Sequence, residues 1–146
     1  MNSVVSAARQ LRYLQRAFDN LIANADRHTG NILFTKDWRL ILIDHSRTFG
    51  TSQESTSELI YTENHKAGPM IMRSLPRAFV EKLKLLDFEL MKGIVGDYLT
   101  DSEIEAVLIR RDLILHEISR LIDKYGEDNV LYSSATSPPP RLANAE

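Results

Sequence analysis

Asn24-Ala25-Asp26-Arg27-His28-Thr29-Gly30-Asn31, followed beyond a short apolar excursion by Ile43-Asp44-His45, is the stretch on which the reading of this chain turns. Asp26 and Asn31 share a segment of polar and turn-forming residues, and Asp44 closes an apolar run. A carboxylate at Asp26 can accept a hydrogen bond from a substrate hydroxyl and aim it. Taken alone, Asp26 reads more plainly as a loop residue that satisfies backbone N–H groups. Asn31 and Asp44 shift that balance, because an amide oxygen and a carboxylate are hard donors suited to magnesium. The spacing has a physical cause. Ile32-Leu33-Phe34 and Leu40-Ile41-Leu42-Ile43 flank Thr35-Lys36-Asp37-Trp38-Arg39, a pattern that predicts a small β-hairpin. Such a hairpin lets the chain leave the loop and return, so that Asn31 and Asp44 can face one cation.

Outward from this segment the pattern is helical. Val4, Val5, Ala8, Leu11, Leu14, Phe18, Leu21 and Ile22 recur at three- and four-residue steps, which predicts a helix with Ser3 as N-cap, ending near Asn24. Residues 45 to 69 are polar and read as a long loop, uncommon in a compact domain unless it has work to do. Pro76 suits the first turn of a further helix carrying Phe79, Leu83, Leu86 and Leu90, with a break at Asp87 or Gly93. Thr100 and Glu103 have the spacing of a capping box. They open the longest predicted helix, with Ile104, Val107, Leu108, Leu115, Ile118, Leu121 and Ile122 as its apolar stripe and Gly126 as its stop. Arg110-Arg111-Asp112 reads as a solvated charge cluster opposite that stripe. The composition of residues 133–146, rich in Ser, Ala and Pro, predicts a disordered tail after a single domain over residues 1–132.

Composition narrows the classes. A chain of 146 residues suits one core. A net charge of −2 gives no basic field, so no nucleic-acid partner is expected. The absence of cysteine excludes disulfides and thiolate zinc sites. No apolar run is long enough for a membrane span, and residues 1–5 lack the basic-then-apolar pattern of a signal peptide. The expected setting is the cytoplasm.

The run Asn24 to Leu33 with Leu42-Ile43-Asp44-His45 resembles the catalytic and metal-binding loops of the protein-kinase-like superfamily, closest to the branch of phosphatidylinositol 3- and 4-kinases and HipA-type kinases. In that branch an Asp-Arg-His-x-x-Asn loop precedes an Ile-Asp metal loop. The resemblance is tight over about residues 18 to 50 and looser to residue 132. It implies an α+β, mostly α-helical fold: a kinase-like C-terminal lobe with a short β-hairpin beside the catalytic and metal-binding loops, and no N-lobe. It implies Asp26 as the catalytic carboxylate, His28 as an acid/base partner or phosphate contact, and Asn31 and Asp44 as ligands of Mg²⁺ carrying ATP. Arg27 would fix the loop through a carboxylate. Two departures stand out. Ser46 occupies the place of the glycine in an Asp-Phe-Gly metal loop. The residues before the loop read as one helix, without a phosphate loop or strand-borne lysine. Phosphoryl transfer to an unidentified acceptor would therefore need an N-lobe polypeptide or other partner protein to complete the ATP site. The alternative is a non-catalytic binding or scaffold module of the same lineage. A third class, a metallohydrolase, would gather His28, His45, Asp26 and Asp44 around a transition metal. His65 and His116 show no ligand spacing, and Trp38 suits burial against the helices or stacking on a partner.

Overall fold

The computed structural model describes residues 2–37 and 39–133. Trp38 and the segment 134–146 lie outside them, and so do the expectations that fall there. The fold is α+β and mostly helical. Helix α1 (Asn2–Ile22) leads into a 3₁₀ turn at Thr29–Asn31 and a hairpin of β1 (Ile32–Phe34) and β2 (Leu40–Leu42). A short helix α2 (Gln53–Ser57) follows, then β3 (Leu75–Pro76), α3 (Arg77–Leu85), α4 (Phe88–Val95), α5 (Asp101–Tyr125), α6 (Glu127–Val130) and β4 (Leu131–Tyr132). Among the described residues no helix is long and apolar enough to cross a membrane.

Local chemistry accounts for most boundaries. Thr100 and Glu103 form the expected capping box at the start of α5, satisfying orphan N–H groups at both positions. Gly126 ends α5 at φ +84°, a conformation that a β-carbon would strain. Asp87, not Gly93, makes the break between α3 and α4: its carboxylate accepts from the Leu90 N–H at 2.8 Å. Ser3 falls inside α1 instead of preceding it. The long polar loop is interrupted by α2, which Ser52 caps.

The hairpin pairs antiparallel, with Ile32 opposite Leu42 and Phe34 opposite Leu40. A second, parallel pairing joins Leu75 to Leu131 and Pro76 to Tyr132. Two-residue strands carry no readable alternation, and the sequence gives no sign of this bridge. It clamps the end of the described chain beside the start of α3. Around it lies the apolar core: Ala17, Met72, Leu75, Val80, Leu83, Ile114, Ile118, Leu121, Val130 and Leu131. Each larger side chain here contributes about 1.5–3 kcal/mol by leaving water.

One residue reverses the sequence expectation. Arg110 is only 1% exposed and belongs to the buried face of α5. Its Nε donates to the Leu21 carbonyl at 2.8 Å, and its Nη1 donates to the carbonyls of Gly50 at 2.7 Å and Ser55 at 3.3 Å. The carbonyl end of α1 carries partial negative charge. A guanidinium, with five donors, can serve that end and a neighbouring irregular segment together. Arg111 and Asp112 do pair with each other, toward the outside.

Candidate functional site

The last turns of α1 bury polar side chains. Asp19 is fully buried, Asn20 and Asn24 nearly so. The helix ends with Ala23 in the left-handed region at φ +56°, so that the Asn24 N–H returns to the Asp19 carbonyl at 2.8 Å and the Ala23 N–H to Asn20. The next carbonyls also find donors. Leu21 receives Arg110, Ile22 receives the Phe49 N–H at 2.6 Å, and Asn24 receives the Tyr61 hydroxyl at 3.2 Å. The exit of α1 is therefore closed by three separate parts of the chain.

Arg27 organises the loop beyond that exit. Its Nε and Nη2 donate to the two oxygens of Asp19 at 2.9 and 2.7 Å, a bidentate pair with both side chains buried. Gln15 donates to the same carboxylate. The remaining nitrogen, Nη1, donates to the Asn31 carbonyl at 3.0 Å and the Ile43 carbonyl at 2.9 Å. One guanidinium thus ties α1, the 24–31 loop and the segment entering Asp44. The Ile43 N–H closes the same junction by donating to the Asn31 carbonyl at 3.1 Å.

Asn31 is buried and its amide faces inward. Nδ2 donates to the Asp26 carbonyl at 3.1 Å, and Oδ1 accepts the His28 N–H at 3.1 Å, with Arg27 Nη1 at 3.4 Å. The amide clasps the loop whose ends are Asp26 and Asn31. His28 is exposed and caps the 3₁₀ turn, its Nδ1 accepting the Gly30 N–H at 3.1 Å.

Asp26 and Asp44 are the exposed acids of the pair of loops. Asp26 meets Arg47 at 4.0 Å, a solvated contact that contributes little. Asp44 has φ +56°, rare outside glycine and tolerated by Asp through local hydrogen bonds. Its Oδ1 accepts the Ser46 hydroxyl at 2.7 Å and the Ser46 N–H at 3.3 Å. These bonds, with smaller contributions from His28 and His45, hold the carboxyl below its ordinary pKa. Its Oδ2 has no hydrogen-bond partner among the described residues. His45 packs edge-on against Phe18, with ring centroids 5.9 Å apart, and its Nδ1 lies 3.4 Å from Arg27 Nη2.

Among the described residues no group of three or more His, Asp or Glu is placed to hold a metal ion, so the four-residue transition-metal cluster weighed from the sequence does not assemble. A magnesium ion makes a smaller demand, since one or two carboxylates and the phosphates of its nucleotide suffice. Asp44, ionised and open at one oxygen, fits that demand. Asn31 Oδ1 already accepts the His28 N–H, and a cation would compete there with the longer contact from Arg27.

The long loop contributes an anchor that its composition did not announce. Tyr61 is buried, its N–H donating to Asn20 Oδ1 at 2.8 Å and its carbonyl accepting from Asn20 Nδ2 at 3.1 Å. Its ring stacks on His65. No protein-family model, curated protein or solved structure matches this chain.

Proposed function

We propose that the chain is a kinase-like phosphoryl-transfer lobe. The observation that carries the reading is the Arg27 tie, which holds the Asp26 loop and the Asp44 segment against one buried carboxylate. Such a clamp sets two exposed acids on rigidly connected supports, as an in-line transfer requires. Asp26 accepts the proton side of an acceptor hydroxyl and aims its oxygen. Asn31 keeps Asp26 in place by bonding its carbonyl. Asp44, kept anionic by Ser46, would hold magnesium, which neutralises phosphate charge when bound with its nucleotide. Closure over the nucleotide falls to a second lobe or partner polypeptide. The isolated chain is therefore expected to bind Mg-nucleotide weakly and to turn over little.

The engaged Asn31 amide favours a second reading, a binding module that retains the loop architecture without transfer. Amide NMR spectra with ATP and Mn²⁺ in place of Mg²⁺ separate the two. Broadening centred on Asp26 and residues 44–46, abolished in Asp44→Ala, supports the phosphoryl-transfer lobe. ATP binding that ignores the metal supports the module. Absence of both effects overturns the nucleotide reading altogether.

A further inference from the structure

A groove of about 420 Å³ runs between α1 and the inner face of the hairpin. Leu11 on the helix and Ile32, Phe34 and Leu40 on the strands give it apolar walls. Its volume lies within the range of small-molecule sites, which are mostly apolar with a few oriented polar groups. Gln15, Thr29 and Tyr61 add neutral polar groups, and the charged groups have one sign. Arg12 and Arg16 stand one helical turn apart on the wall formed by α1, and among the described residues no carboxylate lines the groove. Arg27, also in the lining, is already neutralised by Asp19. Arg16 donates Nη1 to the Ile71 carbonyl at 2.9 Å, an uncharged partner. Neither Arg12 nor Arg16 forms a salt bridge among the described residues. Burial, and secondarily the charge of Arg12, lower the pKa of Arg16. Unbalanced positive charge beside an apolar cleft is relieved by an anion that brings its own apolar body.

We propose that this groove is a binding site for a small amphipathic anion, an aromatic or acyl body bearing a carboxylate, sulfonate or phosphate group. The apolar body lies against Leu11 and the strands, and the anionic group meets Arg12 and Arg16. His28 and Thr29 also line the groove, whereas Asp26 does not. An occupant would thus touch the 24–31 loop without occupying the place of an acceptor at Asp26. The site stands independently of the phosphoryl-transfer reading.

The test uses the fluorescent anion anilinonaphthalene sulfonate and its uncharged counterpart phenylnaphthylamine on the full chain. The sulfonate should bind at one site, with amide NMR shifts at residues 8–16, 28–29 and 32–40. Arg12→Glu should weaken it about tenfold, the size of one lost charge-assisted contact, and leave phenylnaphthylamine unchanged. Leu11→Ser should weaken both dyes, with the helical circular dichroism retained. Lys82→Glu and Ile94→Ser, which alter exposed charge and apolar surface on α3 and α4, should change neither. Equal sulfonate binding by Arg12→Glu, or loss in the Ile94→Ser variant, would overturn the assignment.

Discussion

Where α5 meets α3 and β3, Val80, Leu83, Ile114, Ile118 and Leu121 bury apolar surface against apolar surface. Where the last turns of α1 meet the loop after them, Asp19, Asn20, Asn24 and Asn31 are buried as deeply and are held by directional hydrogen bonds. The two regions solve different problems. Two regular helices satisfy their own backbones and need only area between them. An irregular loop at the end of a helix exposes N–H and C=O groups that must find partners before they can be buried. Side chains with fixed donor geometry, above all Arg27 and Arg110, supply those partners. Apolar packing supplies stability, whereas the polar clasp ties the Asp26 loop to the Asp44 segment.

The contrast can be broken most severely at Arg27. Arg27→Ala leaves Asp19 buried without its counter-charge and should cost about 3–5 kcal/mol in chemical denaturation. The paired change Asp19→Leu with Arg27→Met should recover much of that loss while leaving the 24–31 loop disordered by amide NMR, because stability and loop geometry then part company. In the apolar region, Ile114→Ala should cost about 2–5 kcal/mol by leaving a cavity, yet spare the NMR signature of the Asp26 loop. A smaller effect tests a local cap outside both regions: Thr100→Ala should cost about 1 kcal/mol, read as a shift in midpoint without change in m-value. The smallest concerns protonation. Since Asp44 titrates below its ordinary value when folded, its favourable bonds are present above the unfolded pKa and are lost as pH falls through the folded one. Ser46→Ala should raise the Asp44 titration midpoint, followed by carboxyl carbon NMR, with little change in stability at neutral pH. An unchanged midpoint would show that Ser46 is not what holds Asp44 ionised.

The parts of the fold written in periodic or adjacent residues were legible beforehand. The capping box of Thr100 and Glu103, the glycine stop at 126 and the two apolar runs flanking a turn that form the hairpin are local rules, and each is present. The resemblance implied that Arg27 fixes the loop through a carboxylate, and Asp19 is that carboxylate; the rest of the clasp was not legible, because its pairs lie far apart in sequence without a period: Asn20 with Tyr61, Leu21 with Arg110. Arg110 did leave a trace. The apolar stripe of α5 lapses between Leu108 and Leu115, and the missing inward positions are Arg110 and Ile114. A charged residue in phase with the stripe was a candidate for burial against carbonyls. At the loop, the sequence located Asp26, His28, Asn31 and Asp44 together. It could not tell an asparagine that faces a cation from one that faces its own backbone, since both uses need the same amide.

Arg110 also orders events in time. Helix α1 is synthesised before α5, yet a carbonyl at its end is served by a residue 89 positions further along the chain. Until α5 docks, the carbonyls of Leu21, Gly50 and Ser55 lack the donor they share. A chain emerging from the ribosome would thus complete its periodic helices and the Arg27 tie early, and close the carbonyl end of α1 late. Pulse-labelled hydrogen exchange during refolding should show the Phe49 amide, bonded to the Ile22 carbonyl, protected only together with the amides of α5.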